Sequence, residues 1–140
     1  MSQENVEIVR RTFQAFNDRD WDAISVLYTE DIVWRLIGGF ADVLGTEFSG
    51  HEGLRHLSNE WVGTLGLRVE MEAVLEANDR VVVITRVMGT GGASGVPTTI
   101  RAGNVFFFRD GKISAVDSYY EASEALEAVG LSEQDAQADS

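Results

Sequence analysis

The sequence predicts an α+β domain in which helices are segregated from a mostly antiparallel sheet. Three observations carry this. Residues Arg80–Met88, Thr98–Arg109 and Lys112–Tyr120 read as successive apolar strands, the last two joined by Asp110-Gly111. Asp-Gly between apolar runs is a strong hairpin signal, because both turn residues take positive φ. Arg68–Ala77 alternates, with Val69, Met71, Ala73 and Leu75 on one face and Arg68, Glu70, Glu72 and Glu76 largely on the other. That is the pattern of a half-exposed strand. Helical spacing, in contrast, is confined to segments before and after this strand-rich stretch.

Taken in order, Ser2 caps a first helix, with Glu4 and Glu7 in its positive first turns and Val6, Val9, Phe13 and Phe16 on one face. Asn17–Asp20 breaks it, and Asp20 caps a short second helix carrying Trp21, Ile24 and Leu27. Ile32–Leu36 is a strand that puts Ile32, Trp34 and Leu36 on one side. Ile37–Gly50, with four glycines and no clear period, reads as a loop, with or without a short strand in it. Its Gly38, Gly39, Gly45 and Gly50 are possible hinges, and its Phe40, Leu44 and Phe48 could close over a cavity mouth. Ser49-Gly-His-Glu52 resembles a capping box opening a third helix, whose inward residues are Leu54, Leu57, Trp61 and Leu65. The Gly89–Gly95 tip of the central hairpin is glycine-rich and expected to be mobile. Glu121–Val129 is a closing helix stopped by Gly130. The domain spans 1–131, and residues 132–140 form a polar, disordered tail.

Composition narrows the function classes. A net charge of −12 over 140 residues opposes nucleic-acid and anionic-membrane binding. With no cysteine there is neither disulfide nor thiolate chemistry. His51 and His56 are five apart, off a shared helix face, so no metal site is read. The Gly89–Gly95 run lacks a phosphate-binding pattern, and no cofactor is expected. No basic stretch precedes an apolar run at the N-terminus, and no run reaches the roughly 18 apolar residues of a membrane span, so a cytoplasmic location is expected. Residues 80–88 and 104–108 are apolar on both faces, which points to a homodimer through the sheet unless helices cover both sides internally.

Several stretches together resemble SnoaL-like proteins of the nuclear transport factor 2-like (ketosteroid isomerase-like) superfamily. They are Glu7–Asn17 with Asp20–Ala23, Asp31–Trp34, Gly50–Leu54, Asp79–Val83, and Phe108–Ile113 running into Tyr119 and Glu121. The resemblance covers about residues 2–130. It implies a cone: a curled, mostly antiparallel sheet wrapped around the N-terminal helices, with an apolar pocket at the wide end and frequent dimers. It also places the isomerase's first-helix tyrosine at Thr12, its catalytic carboxylate at Leu36 and its protonated aspartic acid at Asn104. Leucine cannot take a proton, whereas asparagine can still donate a hydrogen bond. The epoxide hydrolase's arginine falls on Arg86, but its aspartates fall near Met88 and Ser118. The acidic residue of the cyclases has its nearest counterpart in Asp117, which alternation turns away from Ser118 and Tyr120.

The candidate ligand-binding residues are therefore Phe16, Trp34, Leu36, Trp61, Arg86, Met88, Asn104, Ser118 and Tyr120. Arg86, Asn104, Tyr120 and Asp117 are the candidates for chemistry. Arg86 shares a strand face with Val82, Ile84 and Met88. If that face is inward, Arg86 needs an anionic or strongly polar ligand group, with Asn104 and Tyr120 sharing its oxygen. If the face is outward, Arg86 is an ordinary surface cation. The sequence reads as a pocket for a small apolar, oxygenated molecule, either an isomerase-, cyclase- or hydrolase-like enzyme or a non-catalytic binding or dimerisation module.

Overall fold

The computed structural model describes residues 2–91 and 96–139. Helices α1 (Ser2–Asp18) and α2 (Trp21–Ser25) lead into strand β1 (Tyr28–Ile37). A short helix α3 (Gly39–Leu44), strand β2 (Glu47–Ser49) and helix α4 (Gly50–Ser58) follow, the last continuing as a π-helical turn over Asn59–Thr64. Then come β3 (Arg68–Ala77), β4 (Arg80–Gly91), β5 (Val96–Arg109), β6 (Lys112–Tyr119), α5 (Ala122–Ala128) and α6 (Glu133–Asp139). The six strands form one sheet in the order β2-β1-β6-β5-β4-β3. It is antiparallel except where β1 runs parallel to β6. The expected α+β architecture, with a curled sheet over N-terminal helices, is what the chain adopts.

Local signals set much of this. Asp20 Oδ1 accepts the Ala23 amide at 3.1 Å and starts α2. Asp110 and Gly111 turn β5 into β6 with φ of 53° and 77°. Gly130, at φ 79°, ends α5, with its amide on the Glu127 carbonyl and that of Leu131 on the Leu126 carbonyl. These paired bonds satisfy carbonyls that the helix end would otherwise leave open.

Other expectations are corrected. The Ile37–Gly50 stretch holds the short strand allowed for it, β2, and in addition helix α3, whose six residues are too few to show a period. Ser49 makes no side-chain cap, because it ends β2, paired with Val33, and Gly50 enters α4 at φ 71°. Leu65 is exposed, since the wider π turn rotates it off the face of Leu54 and Leu57. The alternation of β3 breaks at a bulge between Met71 and Ala73. Val69, Met71 and Val74 therefore face the helices, and Ala73, Leu75 and Ala77 the other side. Of the Gly89–Gly95 tip, residues 92–95 lie outside the described residues.

The sheet has a core on each face. Inside, α1, α2 and α4 cover Val81, Val83, Val87, Phe106 and Val116. Outside, Val82, Ile84 and Val105 are covered by Ala122, Ala125 and Leu126 of α5 and Ala136 of α6. The two-sided apolarity of these strands is thus satisfied within the chain and needs no second subunit to explain it.

The expected disordered tail is instead helix α6. At its start the Asp135 carboxylate accepts the Ser132 backbone N–H and hydroxyl through Oδ2 at 2.9 and 3.1 Å. Arg101 grips Glu133 through both terminal nitrogens at 2.7 and 2.8 Å, and its Nε reaches Glu72 at 2.9 Å. Hydrogen bonding from Arg101 lowers the Glu133 pKa below the ordinary 4.5. A depressed carboxylate stabilises the folded state above its unfolded pKa, and that contribution is lost as pH falls through the folded pKa. Helix α6 should therefore loosen first in acid. Amide exchange of residues 133–139 compared at about pH 6 and about pH 3 should show selective loss of protection, beyond any change in β4 and β5. Equal protection at both pH values would show that Ala136 packing, not the ion pair, holds α6.

Candidate functional site

Between α1, the α4–π segment, α3 and the inner sheet face lies a cavity of about 50 Å³. Helical spacing brings Phe13 and Phe16 from α1 to its wall, β1 adds Trp34 and Leu36, and the helices beyond β1 add Phe40, Leu57 and Trp61. The rings meet edge to face: Phe16 and Trp34 at 5.6 Å between centroids, Phe40 and Trp61 at 4.9 Å. Behind them Phe106, fully buried, stands edge-on to Phe13 at 5.8 Å and to Trp34 at 6.2 Å. Such pairs add to the energy of area burial and fix ring orientation.

The polar atoms of this wall form a chain. Cross-strand pairing sets Leu36 beside Ser118, Ser118 beside Asn104 and Asn104 beside Val83. Trp34 Nε1–H donates to Ser118 Oγ at 2.8 Å, and the Ser118 hydroxyl donates in turn to Asn104 Oδ1. With its oxygen taken, Asn104 keeps its Nδ2 donors for the cavity it lines. Thr85, opposite Ala102 on β4, adds a buried hydroxyl-bearing side chain to the same wall. Asn17 also lines the cavity, but both ends of its amide are used. It donates to the Val69 carbonyl at 2.8 Å and accepts the Val69 amide at 3.2 Å, tying α1 to edge strand β3.

No described lining residue is ionisable. Thr12, at the position matched to the isomerase tyrosine, lies outside the lining and hydrogen-bonds Tyr28 at 2.5 Å. Burial raises the Tyr28 phenol far above its ordinary pKa, so it stays neutral. Among the described residues, no group of three His, Asp or Glu side chains gathers to hold a metal ion. No described helix is long and apolar enough to cross a membrane.

Of the residues singled out in the sequence, Phe16, Trp34, Leu36, Trp61, Asn104 and Ser118 come together around the cavity. Arg86, Met88 and Tyr120 do not. Arg86 is exposed on the outer sheet face, opposite Glu70 and Arg101, and pairs with Glu70 at 3.4 Å. The reason is register. Val83 opposes Asn104, so the odd-numbered residues Val81, Val83, Thr85 and Val87 share its inward face. Met88 follows Arg86 to the other side. Tyr120 packs its ring against Phe40 at 4.9 Å, outside the lining. Asp117 points outward as alternation requires and pairs with Arg35 at 2.6 Å. Phe40, expected at the cavity mouth, lines the cavity, and Phe13 joins it from the helical face already read for Phe16; Thr85 had no signal in the sequence.

The SnoaL-like domain family matches residues 9–116. No curated protein matches the chain. Among solved structures, TerC, co-crystallised with polyporic acid, is 25% identical, with a TM-score of 0.74 over 90% of this chain and 97% of its own. Bal32a, from a soil-derived mobile gene cassette, is also 25% identical at a TM-score of 0.74, covering 83% of this chain and 88% of its own. A Catenulispora acidiphila protein described as having a ketosteroid isomerase-like fold, solved with trimethylamine, is 18% identical, at a TM-score of 0.68 over 91% and 95% of the two chains. That last likeness speaks for the fold alone. Since the family match takes in α1 from Val9 through most of β6, including most of the cavity wall, the chain belongs to the SnoaL-like domain family.

Proposed function

We propose that this protein binds a small, uncharged, largely apolar molecule and orients it through one acceptor oxygen. The observation carrying this reading is the Trp34–Ser118–Asn104 chain, which occupies the Asn104 oxygen and leaves its amide nitrogen as a donor on the wall of a largely apolar cavity. Sites of this kind combine apolar walls with a few convergent polar groups. A charged ligand would have no counter-charge among the lining residues. Binding is favoured over catalysis, because isomerase-, cyclase- or hydrolase-like proton transfer needs a side-chain acid or base within reach of the ligand.

The test uses the neutral carbonyl-bearing dye prodan in titrations, with naphthalene as a probe lacking an acceptor. Asn104→Leu should weaken prodan by about 0.5–1.5 kcal/mol, the net worth of a neutral hydrogen bond, and leave naphthalene unchanged. An equal loss for both, or no binding of any probe, would overturn the reading.

A further inference from the structure

We propose that α3 is a gate whose Phe40 ring plugs the cavity, and that a planar ring of the ligand takes the place of Phe40 when the gate opens. A cavity of about 50 Å³ holds a few water molecules. Ligand sites run from about 300 Å³ upward. A ligand of ring size or larger therefore requires a wall to move, and the walls differ in how firmly they are held. Strands β4, β5 and β6 are hydrogen-bonded on both sides. Helix α1 is tied to β3 through Asn17 and Val69, and α4 is anchored by buried Leu54 and Leu57.

Helix α3 has only six residues, and Phe40, 8% exposed, is its buried anchor. Gly38 and Gly45 bracket it at φ 95° and 105°, conformations that glycine enters and leaves without a Cβ clash. The Phe40 ring stands between Trp61 and Tyr120, 4.9 Å from each and at 71° and 69° to them. Trp61 belongs to the π-helical turn, a departure from α geometry that recurs at functional sites. A Cβ on Gly39 would come within 2.9 Å of the Tyr120 ring, so α3 seats on Tyr120 only because position 39 has no side chain. When Phe40 leaves, Trp61 and Tyr120 stand as two aromatic posts around a ring-sized slot. This gives Tyr120 a role without placing it in the resting cavity.

The gate rests on the ligand-binding reading, but opening can be measured without a ligand. Amides of residues 41–45 should exchange faster than those of β4 and β5 in the free protein. In stopped-flow mixing with prodan, the observed rate should level off at high dye concentration, as it does when opening limits entry. In Phe40→Ala it should rise linearly past the wild-type plateau, and the apparent prodan affinity should tighten by about tenfold or more, as expected where the wild-type open form is a tenth or less. Phe40→Leu, which keeps more of the core contact, should fall between. Exchange in α3 as slow as in β4, or identical linear kinetics in wild type and both variants, would overturn the gate. Rapid α3 exchange without prodan binding to any variant would leave the gate standing and sink the ligand reading instead.

Discussion

Phe106→Ala is expected to cost about 3–5 kcal/mol of folding stability, read as a shifted urea midpoint with an unchanged slope. Phe106 is fully buried and in edge contact with Phe13 and Trp34, so its ring links α1, β1 and β5 in one layer. Removing it takes away a large apolar group and leaves a hole that a hydrogen-bonded sheet cannot collapse to fill. Because both neighbours line the cavity, Phe106→Ala should also loosen the wall behind Trp34. A loss below about 1 kcal/mol would show that the helices close over the gap and that this layer is softer than its geometry implies.

Gly103→Ala carries the second large expected effect, about 1–3 kcal/mol from overpacking. A Cβ at this position would stand 2.5 Å from the Ala125 Cβ and 3.5 Å from the Ala122 Cα. Both alanines are buried members of the outer core, so neither has a flexible end that can swing aside. Either α5 must lift from β5, exposing Val82, Ile84 and Leu126, or the strand must bow inward. The Ala125→Gly partner change removes the opposing methyl. It costs about 1 kcal/mol in helix propensity by itself but should recover part of the loss in the double variant. Strict additivity in that cycle would disprove the close approach.

The contrast between these two positions shows what could be read from the chain alone. Phe106 lies in an apolar run, and its burial follows from the run. The role of Gly103 depends on a helix about twenty residues later in the chain lying across it, and no local pattern announces that. The same division holds for α6. Ser132 and Asp135 have capping-box spacing and were readable, but a polar seven-residue segment acquires stability only by docking Ala136 and pairing Glu133 with Arg101.

Asn104 and Ser118 enter the candidate site only through the family resemblance. The sequence by itself determined the participants that local chemistry marks: the helical aromatic face through Phe16, the strand face of Trp34 and Leu36, and the Asp110-Gly111 turn. Each follows from a period, a cap or a turn acting within a few residues. Only the tertiary structure decided which side of β4 faces the cavity. Val81–Ile84 is apolar on both faces, so burial energy is nearly indifferent to a flip of the strand. The choice falls to the pairing of Val83 with Asn104 and Arg86 with Arg101, and to α5 and α6 covering the opposite side. That pairing sends Arg86 to solvent and brings Thr85 to the wall in its place.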